Sequence, residues 1–101
     1  MADYKDDLLR DLQDPEYAAM YVNDALLASP EEFLLALRDV AESRTMSKVA
    51  EASRLNRVSM YRMLSGEGNP RLTSLTSLLT ALGLKLKVEQ IDVPQSGGER
   101  Q

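Results

Sequence analysis

A helix-start signal is written twice, fifteen residues apart, and it limits the fold more than any other feature of this chain. Asp14-Pro15-Glu16 and Ser29-Pro30-Glu31-Glu32 each set a capping side chain, a proline and an acid in succession. The capping oxygen accepts from an orphaned backbone N–H, proline holds the φ of a first turn, and the acid complements the helix dipole. Ser29 and Glu32 together read as a capping box. The first signal opens "EYAAMYVNDALLA", ending near Ala28. The second opens "EEFLLALRDVAES", which places Phe33, Leu34, Leu37, Val40 and Ala41 on one stripe at helical spacing.

The remaining punctuation extends this pattern to five or six helices. Residues 4–12 suit a short helix, Thr45 can cap "MSKVAEAS", and Asn56 can cap "RVSMYRMLS". Gly66 sits where a left-handed C-terminal residue is needed, Pro70 blocks an earlier restart, and "TSLTSLLTALG" stops at Gly83. Then the period changes. Leu84, Leu86 and Val88 alternate with Lys85, Lys87 and Glu89, which is strand periodicity, and a lone strand needs a partner. The expected fold is therefore all-α with a short C-terminal β-strand. It divides into an acidic segment at 1–14, a domain at 15–90 and a disordered polar tail at 91–101.

Composition excludes more than it assigns. There is no histidine and no cysteine, so the commonest general base, thiolate metal sites and disulfides are all missing. Asp6 with Asp7 and Glu31 with Glu32 have no third convergent ligand, and helix-start acids explain them better than a carboxylate site. No enzyme, cofactor or metal is expected. No apolar run reaches membrane length and no signal peptide opens the chain, so a cytoplasmic location is expected.

The net charge of −4 conceals a division. Residues 1–42 hold eleven acids and three bases, a balance of −8. Residues 43–88 hold eight bases against Glu51 and Glu67, a balance of +6, and the last thirteen residues supply −2. Local charge steers encounters, so two surfaces with different partners are expected.

The basic segment contains two short helices joined by three or four residues, a helix-turn-helix pattern. Val49, Leu55, Met60 and Met63 fall on its inward side, with Ala50 at the close crossing. Arg57, Val58, Ser59, Tyr61 and Arg62 fall on the first turns and outward side of the second helix, after Asn56. Arginine donates bidentately to guanine, valine meets a thymine methyl, and serine or tyrosine donates to base or phosphate. For Tyr61 two placements remain open, a ring stacked on the sugar-phosphate backbone or one packed on the helix flank. Thr45, Ser47 and Lys48 at the start of the first helix, and Arg71 after the loop, are positioned for backbone phosphates.

"MSKVAEASRLNRVSMYRMLSGEGNPRLTSLTSLLTALGLKLKV" resembles the phage-repressor (Xre-type) helix-turn-helix family. With "YVNDALLASPEEFLLALRDVAE" included, residues 15–90 resemble the addiction-module antidote family, the HigA-like antitoxins. That resemblance implies a phage-repressor-like domain binding its own double-stranded operator DNA as a homodimer. It also implies neutralisation of a RelE/ParE/HigB-like toxin and repression of the operon. The family usually has glycine where this chain has Arg54, and often an apolar residue in place of Ser53. A side chain forced left-handed costs on the order of 1–2 kcal/mol. Either the turn is adjusted, or Arg54 compensates by reaching phosphate.

Three function classes follow: an antitoxin and autorepressor, a stand-alone repressor without a toxin partner, or a protein-interaction module with a vestigial motif. The +6 segment disfavours the third. A basic toxin frame beside the gene separates the first two. Dimerisation is expected through Leu82, Leu84, Leu86 and Val88. The acidic half is expected to face a basic toxin, with Tyr17, Tyr21 and Leu27 as apolar anchors.

Overall fold

The computed structural model describes residues 4–92, which fold into six helices. They are α1 (Tyr4–Asp11), α2 (Pro15–Ala28), α3 (Pro30–Ser43), α4 (Met46–Ser53), α5 (Arg57–Met63) and α6 (Leu72–Ala81). No strand forms among the described residues. The expected strand at 84–89 has no neighbouring strand in this chain, and without one its backbone groups have no ladder to join. The expected tail lies outside the described residues from 93 onward.

Both proline-led helices start as their sequences dictate. Asp14 accepts from the Glu16 N–H at 3.1 Å, and the Ser29 hydroxyl accepts from the Glu32 N–H at 3.0 Å. The capping box forms only by half. The N–H of Ser29 donates to the Ala25 carbonyl at 3.1 Å, because the same residue ends α2. One serine thus closes one helix and opens the next, which fixes the sharp α2–α3 corner.

α3 is the centre of the body and packs against α1, α2 and α4, while α4 also meets α5 and α6. Phe33, Leu34, Leu37, Val40 and Ala41 are all buried, as their spacing requires. Leu12, just past α1, joins them with Ala18 and Val22 of α2, as do Leu78 and Leu79 of α6 and Leu82 just past it. Val49, Ala50, Met60 and Met63 complete the core, with Leu55 packed against it.

Arg44 ties three helix ends together. It ends α3, and its guanidinium donates to the Leu82 carbonyl at 3.3 Å and the Leu12 carbonyl at 3.2 Å. Those carbonyls lie just past α6 and α1, where orphaned acceptors and the dipole both favour a cation. One of the eight bases of the basic segment is thereby structural. Beside it, Gln13 donates to the Ser43 carbonyl at 3.2 Å.

α6 ends in a Schellman motif. Gly83 has φ 77°, its N–H donates to Thr80, and the Leu84 N–H reaches back to Leu79 at 2.8 Å. Gly66, expected in the same role after α5, has no positive φ. α5 closes instead at Leu64, with φ −98° and ψ 17°.

Candidate nucleic-acid interface

α4 and α5 are joined by Arg54, Leu55 and Asn56 and pack against one another. The turn is a second Schellman motif built without glycine. Arg54 has φ 62° and ψ 30°, its N–H donates to Glu51, and the Leu55 N–H reaches Ala50 at 3.0 Å. Leu55 then packs on the core, supplying the apolar contact this ending needs. The turn is therefore not adjusted to suit arginine; Arg54 adopts the left-handed conformation. Its side chain lines a groove with Thr76, Ser77 and Thr80 of α6. Ser53, at an often apolar position, is 6% exposed, and its hydroxyl donates to the Val49 carbonyl at 2.7 Å. Burial is tolerated because the hydroxyl is satisfied.

α5 separates its faces cleanly. Asn56 caps it, accepting from the Ser59 N–H at 2.7 Å. Met60 and Met63 are buried, whereas Arg57, Val58, Ser59 and Arg62 are exposed. Tyr61 departs from that group. It is half-buried against the core, with the Arg38 guanidinium 5.3 Å above its ring. Its ring therefore packs on the helix flank.

Arg62 and Ser59 share a groove of about 570 Å³ with Arg71 at the start of α6. Glu67 adds one carboxylate to it, and Ser65, Asn69 and Ser74 line it too. Reading the sequence alone missed these three. Ser74 carried a signal, standing three residues beyond Arg71 where a helix returns to the same side. Gly68 shapes the connecting loop: a Cβ there would meet the Met63 carbonyl oxygen at 2.1 Å. Only glycine permits that approach.

The starts of α4 and α6 differ from those of α2, α3 and α5. Thr45 was expected to cap α4, yet its hydroxyl makes no capping bond. Its backbone lies at φ 72° and ψ 111°, an uncommon conformation for a β-branched residue, and only its carbonyl enters the helix ladder. Arg71 likewise precedes α6 without a side-chain cap. Both first turns thus keep N–H donors without a protein cap, and Thr45, Ser47, Lys48 and Arg71 beside them are exposed.

Ion pairing follows the charge division. Lys5, Arg10 and Arg38, the bases of the acidic half, pair with Glu42, Asp7 and Glu42 at 3.3, 3.4 and 3.6 Å. Among the described residues, Lys48, Arg54, Arg57, Arg62 and Arg71 are in no ion pair. Those cations keep their charge available to an outside anion.

The residues expected at the other surfaces are dispersed. Leu82 is 1% exposed and belongs to the core, so it offers nothing to a second chain, whereas Leu86 and Val88 are exposed. Leu84 is half-buried against the core. On α2, Leu27 is 87% exposed, while Tyr17 and Tyr21 are half-buried. The Tyr21 hydroxyl donates to Asp39 at 2.6 Å. Burial, followed by that hydrogen bond and the Asp39 charge, pushes its pKa well above the usual tyrosine range. Among the described residues there is no metal-ligating cluster and no helix long and apolar enough to cross a membrane.

The chain matches the family model described as "probable addiction module antidote protein" over residues 4–90. It is 34% identical over 85 residues to an uncharacterised protein of Haemophilus influenzae, covering 83% of this chain and 88% of that one. No solved structure matches it. With the family model spanning all six helices, the chain belongs to the addiction-module antidote family.

Proposed function

We propose that this chain is a DNA-binding antidote that represses its own operon and neutralises a RelE/ParE/HigB-like toxin. α4 and α5 act as a phage-repressor-like (Xre-type) helix-turn-helix, as in HigA-like antitoxins. α5 enters the major groove with Arg57, Val58, Ser59 and Arg62. The uncapped starts of α4 and α6, with Lys48 and Arg71, hold phosphates on either side. Thr45, Ser47 and Asn56 support those contacts, and Tyr61 braces α5 from behind. The observation that carries this reading is the groove joining Arg62 of α5 to Arg71 at a helix start without a cap. Unpaired cations beside free N–H donors form a surface made for a polyanion.

A homodimer joined through Leu84, Leu86 and Val88 presents two such helices to a near-palindrome. The toxin, a basic protein, meets the acidic half. α2 is apolar nearly all round yet buries only Ala18 and Val22, leaving Met20, Leu26 and Leu27 exposed. A helix of that composition is normally covered on more than one side. The alternative, a stand-alone repressor, leaves the outer side of α2 without a purpose.

Two measurements test the proposal. Titration with a duplex from the gene's own upstream region, against a scrambled duplex, should show at least about tenfold preference. Equal affinity for both would remove the repressor reading. Co-purification with the product of the adjacent gene tests the antidote reading, and no complex in either orientation of tags would leave the stand-alone repressor.

A further inference from the structure

The C-terminal segment carries its own pairing code. Leu84 packs on the core, and with Leu86 it lines a groove of about 210 Å³ shared with Val22, Leu26, Phe33 and Leu79, to which Lys85, Lys87 and Glu89 also contribute. Beyond it, Val88 is 96% and Ile91 73% exposed, and no strand of this chain lies alongside. A segment with this alternation can serve as a template for a second extended segment. The segment's two lysines disfavour a basic partner, whereas the segment itself is self-complementary.

Resting on the dimeric reading above, we infer that residues 84–90 pair antiparallel with a second copy about a two-fold axis at Lys87. Opposed residues in an antiparallel pair share a face, so apolar must meet apolar. Pairing cannot run back past Gly83, whose positive φ ends α6, so a ribbon of useful length has its axis at residue 86, 87 or 88. An axis at Leu86 sets Lys85 against Lys87 twice, and like charges directly opposite destabilise. An axis at Val88 sets Leu86 against Gln90 and Leu84 against Asp92, which wastes the apolar face. An axis at Lys87 sets Leu86 against Val88 and Lys85 against Glu89, each twice. Its costs are one Lys87–Lys87 contact and Leu84 opposite Gln90, which is still fewer mismatches than the Val88 axis brings. The second copy's Val88 then lies beside Leu86 at the mouth of the α2 groove. The interface is thus a two-stranded ribbon laid beside Leu26 of α2, which leaves Met20 and Leu27 for the toxin.

The chain has no cysteine, so single substitutions report the axis directly. Full-length Leu86→Cys, Lys87→Cys and Val88→Cys are sedimented reduced, then mildly oxidised and resolved on non-reducing gels. Directly opposed residues have Cα atoms about 4.5–5.5 Å apart, within disulfide reach, while diagonal ones at about 7–8 Å are not. Lys87→Cys should therefore cross-link at least ~10-fold faster than the other two. Faster linking at 86 or 88, or a dimer that never links, overturns the register while leaving the dimer intact. Reduced protein that sediments as a monomer overturns the dimeric reading and the register with it. Lys85→Glu should weaken dimerisation about tenfold, with Glu89→Lys in the same chain restoring it. Failure of that rescue also rules out the proposed axis.

Discussion

The Arg44 guanidinium donates to the Leu82 carbonyl at 3.3 Å, and so holds the end of α6 to the end of α3. Its second bond, to Leu12, adds α1 to the same junction. Arg44→Met keeps the apolar stem but leaves both carbonyls without their donor. Hydrogen bonds to charged groups contribute roughly 1.5–3 kcal/mol each. The buried Nε has no partner among the described residues and its removal offsets part of that, so a loss of about 2–4 kcal/mol is expected. Arg44→Lys should recover little, since one ammonium lacks the planar fork that spans two acceptors. Urea midpoints of the three proteins check this, and an unchanged midpoint for the methionine variant would show the junction to be idle.

Arg54 should be stabilised by replacement. It is a non-glycine residue at φ 62°, and relief of that strain competes with the greater freedom glycine gives the unfolded chain. Arg54→Gly is expected to gain about 0.5–1 kcal/mol, read as a higher melting temperature. The same protein, titrated with DNA, shows whether the arginine offsets its strain by holding phosphate. Unchanged affinity would leave Arg54 with no such role.

Base and phosphate contacts should separate by their response to sequence and salt. Arg57→Ala or Arg62→Ala is expected to cost roughly 1–3 kcal/mol on the preferred duplex and to narrow the gap to a scrambled one. Lys48→Ala or Arg71→Ala should weaken both duplexes alike and reduce the salt slope by about 1 each. Anisotropy titrations at two salt concentrations check all four. If none changes affinity, α5 is not the docking element.

Tyr21 makes alkaline stability readable. Its folded pKa is raised by burial and by its bond to Asp39, so the unfolded chain gives up this proton first as pH rises. The contribution is fully present below about pH 10, the ordinary tyrosine value, and is lost as pH climbs from there toward the folded pKa. The stability gap between the native chain and Tyr21→Phe should hold constant from neutral pH to about 9, then shrink above 10. Denaturation across that range checks it. A gap that stays level would mean the hydroxyl titrates alike in both states.

For the toxin surface, deleting α1 and α2 is a poor experiment, because Leu12, Ala18 and Val22 belong to the core. Leu27, at 87% exposed, permits a cleaner one. Leu27→Glu should leave the melting temperature within about 2 °C, as surface changes usually do, while weakening toxin capture about tenfold or more. Full neutralisation by this variant, measured in co-expression, would place the contact elsewhere.

What was legible in the sequence was local. Asp14, Ser29 and Asn56 cap as read because each bond spans two or three residues, and the α3 stripe is buried because its period leaves no other side for the core. What was not legible came from distant parts of the chain. Arg44 looked like one more surface base, yet its acceptors lie at least 32 residues away. Arg38 over Tyr61 joins two helices whose proximity no spacing encodes. Thr45 and Gly66 failed for a third reason: the backbone conformation at a junction follows the helices on both sides. Of the candidate site, the exposed face of α5 could be read in advance, but the groove that joins it to α6 could not.

Gly68 touches no ligand and carries no side chain, yet it sets a spacing. Since a Cβ there would meet the Met63 carbonyl at 2.1 Å, any other residue must push the 65–70 loop away from the end of α5. Arg71 stands at the far end of that loop and Arg62 just before it, so the loop is the ruler between two cations. In the proposed complex Arg62 reaches a base and Arg71 a phosphate, and a ruler of the wrong length misses one of them. Under that proposal, the smallest residue in the chain decides whether two of its largest can act on the same duplex.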